Sequence, residues 1–84
     1  MKDLNKEAAE RIANEIYFYA CCVRERNGSG NIVFMSIPLF RRLCNSPDFV
    51  ERNGFHYFRG FRLIIYHSQI EEYIVAGDVV RSLA

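Results

Sequence analysis

The residues best equipped for bond-making chemistry are Cys21, Cys22, Cys44, His56 and His67. Metal binding would need them at paired spacings, as in a zinc knuckle, and no such pairing occurs. Cys21, Cys22 and Cys44 fall late in helical segments, where the helix dipole works against a thiolate, so Cys–His catalysis is not expected. Glu71 and Glu72 are adjacent: on a strand they would face opposite sides, and in a turn both would face water. Gly28-Ser29-Gly30 precedes a strand-like run, so it presents no helix N-terminus to a phosphate. What remains is a set of cations and aromatic faces. Arg41, Arg42, Arg52, Arg59, Arg62 and His56 lie near Phe55, Tyr57, Phe58 and Phe61, a mixture suited to gripping a macromolecule. The blander role for the same arginines is a solvated edge that discourages strand pairing. Neither an enzyme nor a cofactor or metal is expected.

The string Arg59-Gly60-Phe61-Arg62-Leu63-Ile64-Ile65-Tyr66 has the basic residue, Gly and spaced aromatics of an RNA-recognition strand. It departs from that pattern at Arg62, where Gly or Ala is wanted, and at Leu63, where the central aromatic is wanted. The few residues after Tyr66 leave no room for the helix and strand that such a domain still requires. A looser affinity for single strands survives. A handful of arginines offset by nearby acids gives only modest attraction to phosphate.

Eleven basic and ten acidic side chains leave the 84 residues at net +1, so the chain as a whole has no field to gather nucleic acid or an anionic membrane. The distribution is uneven. The middle, 28 to 67, has five Arg against Asp48 and Glu51, while 68 to 84 has Glu71, Glu72 and Asp78 against Arg81. Half of the residues are hydrophobic, enough to fold as one domain over 1–84. Three cysteines, two of them adjacent, do not suggest a disulfide framework. The charged N-terminus has no signal-peptide core, and the longest apolar run, Ile16 to Val23, is short of a membrane span. A soluble, cytoplasmic protein is expected.

These side chains must be held by elements that the spacing reveals. Leu4, Ala8, Ile12, Ile16, Tyr19 and Val23 recur at intervals of three and four, which predicts a long helix from Asp3, its N-cap, to Arg26, with Asn27-Gly28 as the stop. Ile16 to Val23 is apolar around most of its circumference, so Phe18, Cys21 and Cys22 are expected to need a second element or a second subunit. Ile32-Val33-Phe34-Met35 reads as a strand. Ser36 reads as the cap of a short helix carrying Pro38 in its first turn, with Leu39, Phe40 and Leu43 inward and Arg41 and Arg42 outward. A further turn would carry Phe49 and Val50 inward, before a tight reversal at Asn53-Gly54. Phe55 to Phe58, Phe61 to His67 and Tyr73 to Ala76 read as three strands of an antiparallel meander, followed by a terminal helical turn at Val79 to Leu83. The expected class is α+β: a long N-terminal helix on a small, mostly antiparallel sheet, in the order α-β-α-β-β-β with a short C-terminal helix.

In this order of elements the chain resembles part of the major capsid proteins of tailed phages. Ile32 to Pro38 looks like that family's short strand and turn, and Leu39 to Leu43 like its helix. Gly60-Phe61-Arg62-Leu63-Ile64-Ile65 looks like its Gly-aromatic-Pro-Val-Val stretch, and Ala76-Gly77-Asp78-Val79 like its closing signature. The similarity spans about residues 8 to 80 and departs at Arg62, which occupies the usual Pro position, and in lacking the long arms and extended loop that interlock subunits. It implies a capsid-like core and a phage or prophage origin without shell formation.

The expectation is therefore a small non-enzymatic macromolecule-binding protein whose partner is another protein. By analogy with small phage proteins, it would inhibit a host or defence protein such as a CRISPR component. The binding residues would be Arg41, Arg42, Arg52, Tyr57, Arg59 and Arg62, with Phe18, Cys21 and Cys22 at a homo-oligomer interface. A weak single-strand nucleic-acid binder and a capsid-related assembly factor are the alternatives.

Overall fold

The computed structural model describes residues 4–27, 31–76 and 80–82. Helix α1 (Leu4–Asn27) has Glu7 in its first turn and Arg24 and Arg26 in its last, the charges its dipole favours. Ala13, Ile16, Ala20 and Val23 form its fully buried stripe, spaced by three and four residues. The expected N-cap Asp3 and the stop at Gly28 lie outside the described residues.

Strand β1 (Ile32–Ser36) runs directly into α2 (Ile37–Leu43). The change of conformation is made at Ser36, whose hydroxyl accepts from the Leu39 N–H at 3.4 Å and caps the helix. Pro38 sits in the first turn, where its missing N–H costs nothing. Leu39 and Leu43 are buried and Arg41 and Arg42 exposed, as expected.

The remaining strands are β2 (Phe49–Arg52), β3 (Phe55–Phe58), β4 (Phe61–Tyr66), β5 (Glu72–Val75) and β6 (Arg81–Ser82). The β2–β3 and β3–β4 turns have positive φ at both central residues, Asn53 (55°) with Gly54 (83°) and Arg59 (47°) with Gly60 (89°). That pattern matches the twist of a two-residue hairpin. Arg59 is the unusual member because its Cβ disfavours this region. Its backbone N–H donates to Asp48 O at 3.1 Å and its guanidinium to the Asp48 carboxylate at 2.7 Å, which holds the turn in place.

The sheet order is β2-β3-β4-β1-β5-β6. β1 pairs parallel with β4 (Phe34 opposite Ile64) and antiparallel with β5 (Phe34 opposite Ile74). The class is α+β with a mostly antiparallel sheet, as the sequence implied, but three details differ. The β3–β4–β5 meander is interrupted, because β1 inserts between β4 and β5. Phe49 and Val50 belong to a strand and not a turn, so they face opposite sides, and only Phe49 packs against the core while Val50 is exposed. The described part of the expected terminal helix, Arg81–Ser82, is a strand that pairs with Tyr73 and Glu72. No helix among the described residues is long and apolar enough to cross a membrane.

Candidate macromolecule-binding face

Side chains alternate between the two faces of a strand, so the register sorts them. One face carries Val33, Met35, Phe58, Phe61, Leu63, Tyr73 and Val75, all nearly or fully buried in one cluster with α1 and α2. Tyr17 and Tyr19 of α1 meet Phe61 and Tyr73 edge-on, with centroids 5.9 and 6.3 Å apart. Phe40 of α2 meets Phe49 at 5.7 Å. Both helices therefore lie on this face.

The other face has no helix over it among the described residues. Its centre is a cross-strand row of Ile64, Phe34 and Ile74 on β4, β1 and β5, each partly open to solvent. Ile32 extends the row on β1. Toward the β2 edge lie Arg62, Tyr57 and Val50, in register with one another, and the pair Phe55 and Arg52. The Arg62 guanidinium stacks over the Phe55 ring at 4.4 Å, the attraction of a cation for a π-face. Val50 and Phe55 are each nearly half exposed (44% and 45%). A shallow depression at this edge takes in Val50, Arg52 and Tyr57.

At the opposite corner sits a polar cluster. Ser36, fully buried, accepts from the Glu72 N–H at 3.0 Å as well as from Leu39. Glu72 accepts from the Tyr66 hydroxyl at 2.7 Å and from the Ser68 hydroxyl at 3.0 Å. Burial, and then the Glu72 carboxylate beside it, push the Tyr66 phenol well above its ordinary pKa, so it serves as a donor over the whole physiological range.

The structure divides the residues expected to bind a macromolecule. Arg52, Tyr57 and Arg62 come together on the open face. Arg59 does not: it turns toward α1, lying over Tyr17 at 5.2 Å and Phe58 at 5.5 Å while paired with Asp48. That guanidinium, with a smaller contribution from Ser46, holds the Asp48 carboxyl below the usual carboxylate range against the opposing effect of burial. Arg42 forms a bidentate pair with Glu71, at 2.8 to 2.9 Å through Nε, and so anchors α2 to the β4–β5 loop. Arg41, also on α2, is exposed and has no ion pair among the described residues. Of the six residues, three share the open face: Arg42 and Arg59 are paired with internal carboxylates, and Arg41 stands on α2, on the other side of the sheet.

The expected oligomer patch divides in the same way. Phe18 (72% exposed) and Cys22 stand one helical turn apart on the outward ridge of α1, whereas Cys21 packs against the core. Among the described residues, no group of His, Cys, Asp and Glu is placed to hold a metal ion. Phe34, Ile64 and Ile74 were not singled out from the sequence. The available signal was the unbroken apolar character of Ile32 to Met35 and Leu63 to Tyr66, since a strand covered on one face only should alternate apolar with polar.

No family model matches the chain, and comparison with curated proteins and with solved structures finds no similar protein.

Proposed function

We propose that the chain is a non-enzymatic protein-binding domain that docks through the open face of its sheet onto a protein surface presenting an apolar ridge flanked by carboxylates. The observation that carries this reading is the apolar row Ile64, Phe34 and Ile74 on a face that neither helix covers. Apolar surface of this kind, rimmed by polar groups, is what protein partners bury. Charge sets the partner's chemistry: Arg52 and Arg62 flank the row without an ion pair among the described residues, two cations against the one carboxylate of Glu72 at the far corner. Tyr57, Phe55 and the two arginines are of the types that anchor interfaces.

The nucleic-acid reading draws on the same Arg62–Phe55 stack, but two cations around a row that is mostly aliphatic, with Phe34 its one ring, suit a protein surface better than a phosphate chain. A role as an inhibitor of a host or defence protein is supported by the resemblance to phage capsid cores alone.

The test is affinity capture from nuclease-treated bacterial lysate, followed by titration of the purified captured protein. Wild type and the helix-side control Arg11→Glu are expected to bind it equally, and Arg52→Glu/Arg62→Glu at least about tenfold more weakly, as for loss of flanking charge pairs. Equal binding by all three would remove the open face as the docking site. Capture that disappears on nuclease treatment would favour nucleic acid instead.

A further inference from the structure

The open face must be covered in some way when no partner is bound, an inference that rests on the docking reading. We propose that a second copy of the chain covers it, in a two-fold dimer centred on Phe34 that a partner must displace.

The register carries this inference. Phe34 is opposite Ile64 on one side and Ile74 on the other. Arg62 lies two residues before Ile64 on β4, and Glu72 two residues before Ile74 on β5. Because β4 runs parallel and β5 antiparallel to β1, these equal steps go in opposite directions, toward Ile32 and toward Ser36 respectively. A cation and an anion therefore stand at equal offsets on opposite sides of Phe34, about 16 Å apart from two strand spacings and four residues of rise. An arrangement with that property is complementary to itself. In an isologous dimer residue i meets j while j meets i. A two-fold axis lying between two such faces, passing above Phe34 and perpendicular to the Arg62–Glu72 line, sets each Arg62 opposite the other copy's Glu72.

The same operation lays the apolar row of one copy across that of the other. The strands then cross at roughly 70°, close to the orthogonal class of sheet packing. Both charged groups are prepared for the contact. Phe55 holds Arg62 at the surface, and Tyr66 and Ser68 fix the Glu72 carboxylate while leaving it further acceptor capacity. The sheet is roughly 24 Å wide, five spacings across six strands, at the small end of what dimers bury, so the pairing is weak enough to yield to a partner.

Sedimentation equilibrium of the whole chain tests this directly. Wild type should dimerise reversibly, and Arg62→Glu or Glu72→Arg alone should weaken self-association at least about tenfold by setting like charges together. An equimolar mixture of the two variants should associate like wild type, because every contact is again between opposite charges. The double variant Arg62→Glu/Glu72→Arg should do the same. A wild type that stays monomeric, or a mixture and double variant that stay dissociated while circular dichroism shows them folded, would overturn the dimer. Should Glu72→Arg fail to fold, Phe34→Cys in a background of Cys21→Ser, Cys22→Ser and Cys44→Ser keeps the question open to measurement. A short bismaleimide should join two copies at position 34 and should not do so at Val50→Cys, and equal yields at both would sink the proposed axis. The docking reading fails separately: a dimer that forms as described, with partner affinity unmoved by Arg52→Glu/Arg62→Glu, leaves self-association standing and removes the partner site.

Discussion

Phe34 and Met35 are neighbours on one strand, both apolar, yet Met35 is fully buried beneath the helices while Phe34 looks out from the uncovered side. The same contrast holds between Leu63 and Ile64 and between Val75 and Ile74. Composition is nearly the same on the two faces of the central strands, and what separates them is where α1 and α2 come to rest. The polar groups differ as well. On the helix side, Arg59 is answered by Asp48 within the chain; on the other, Arg52 and Arg62 have no ion pair among the described residues. One face is complete within the molecule, and the other has the makings of an interface.

The most severe way to test that contrast is to truncate across it. Met35→Ala should cost about 2–5 kcal/mol, through lost burial and a cavity the packed helices cannot close. Phe34→Thr, measured at concentrations where the chain is monomeric, should cost less, about 1–2 kcal/mol, because its ring is only partly buried. Urea denaturation followed by circular dichroism compares them, and similar losses would mean that the two faces are equally buried. A smaller effect is expected where the faces meet. Ser36→Ala leaves the N–H groups of Leu39 and Glu72 without their acceptor and should cost about 1–2 kcal/mol, with Ser36→Thr recovering much of it. The smallest effect is confined to acid. Asp48 has a folded-state pKa depressed by Arg59, so its contribution is present above the ordinary Asp range near pH 4 and fades as pH falls through the lower folded value. Asp48→Asn should flatten the loss of stability below about pH 4; an unchanged acid slope would mean that Arg59 contributes little to the hairpin it faces.

Much of this architecture was legible because it is local. The three-and-four spacing from Leu4 to Val23 marked α1, Ser36 with Pro38 marked the start of α2, Asn53-Gly54 marked one tight reversal, and the strand-like runs ending at Phe58 and beginning at Phe61 left only Arg59-Gly60 for the next. Strand β2 escaped because Phe49-Val50-Glu51-Arg52 is short, half charged and preceded by a Pro47-Asp48 break, so its pairing with β3 is the only thing that makes it a strand. The parallel pairing of β1 with β4 joins segments far apart in sequence, and no local pattern announces it. The open face suffered likewise. Arg52, Tyr57 and Arg62 were recognised by type, but Arg42 and Arg59 could be set aside only after Glu71 and Asp48 were found beside them. Unbroken apolar strands signalled two faces to cover, and only the tertiary structure shows which one was left.

The insertion of β1 between β4 and β5 has a consequence for how the chain is made. As the polypeptide leaves a ribosome, its future central strand appears before either flanking neighbour, so Ile32–Ser36 waits with both hydrogen-bonding edges vacant until Phe61–Tyr66 and then Glu72–Val75 have been translated. The β2–β3–β4 ribbon and the β5–β6 pair can each zip up from strands adjacent in sequence. The middle of the sheet is the first of its strands to be synthesised, and its pairing is not complete on both sides until Glu72–Val75 has followed.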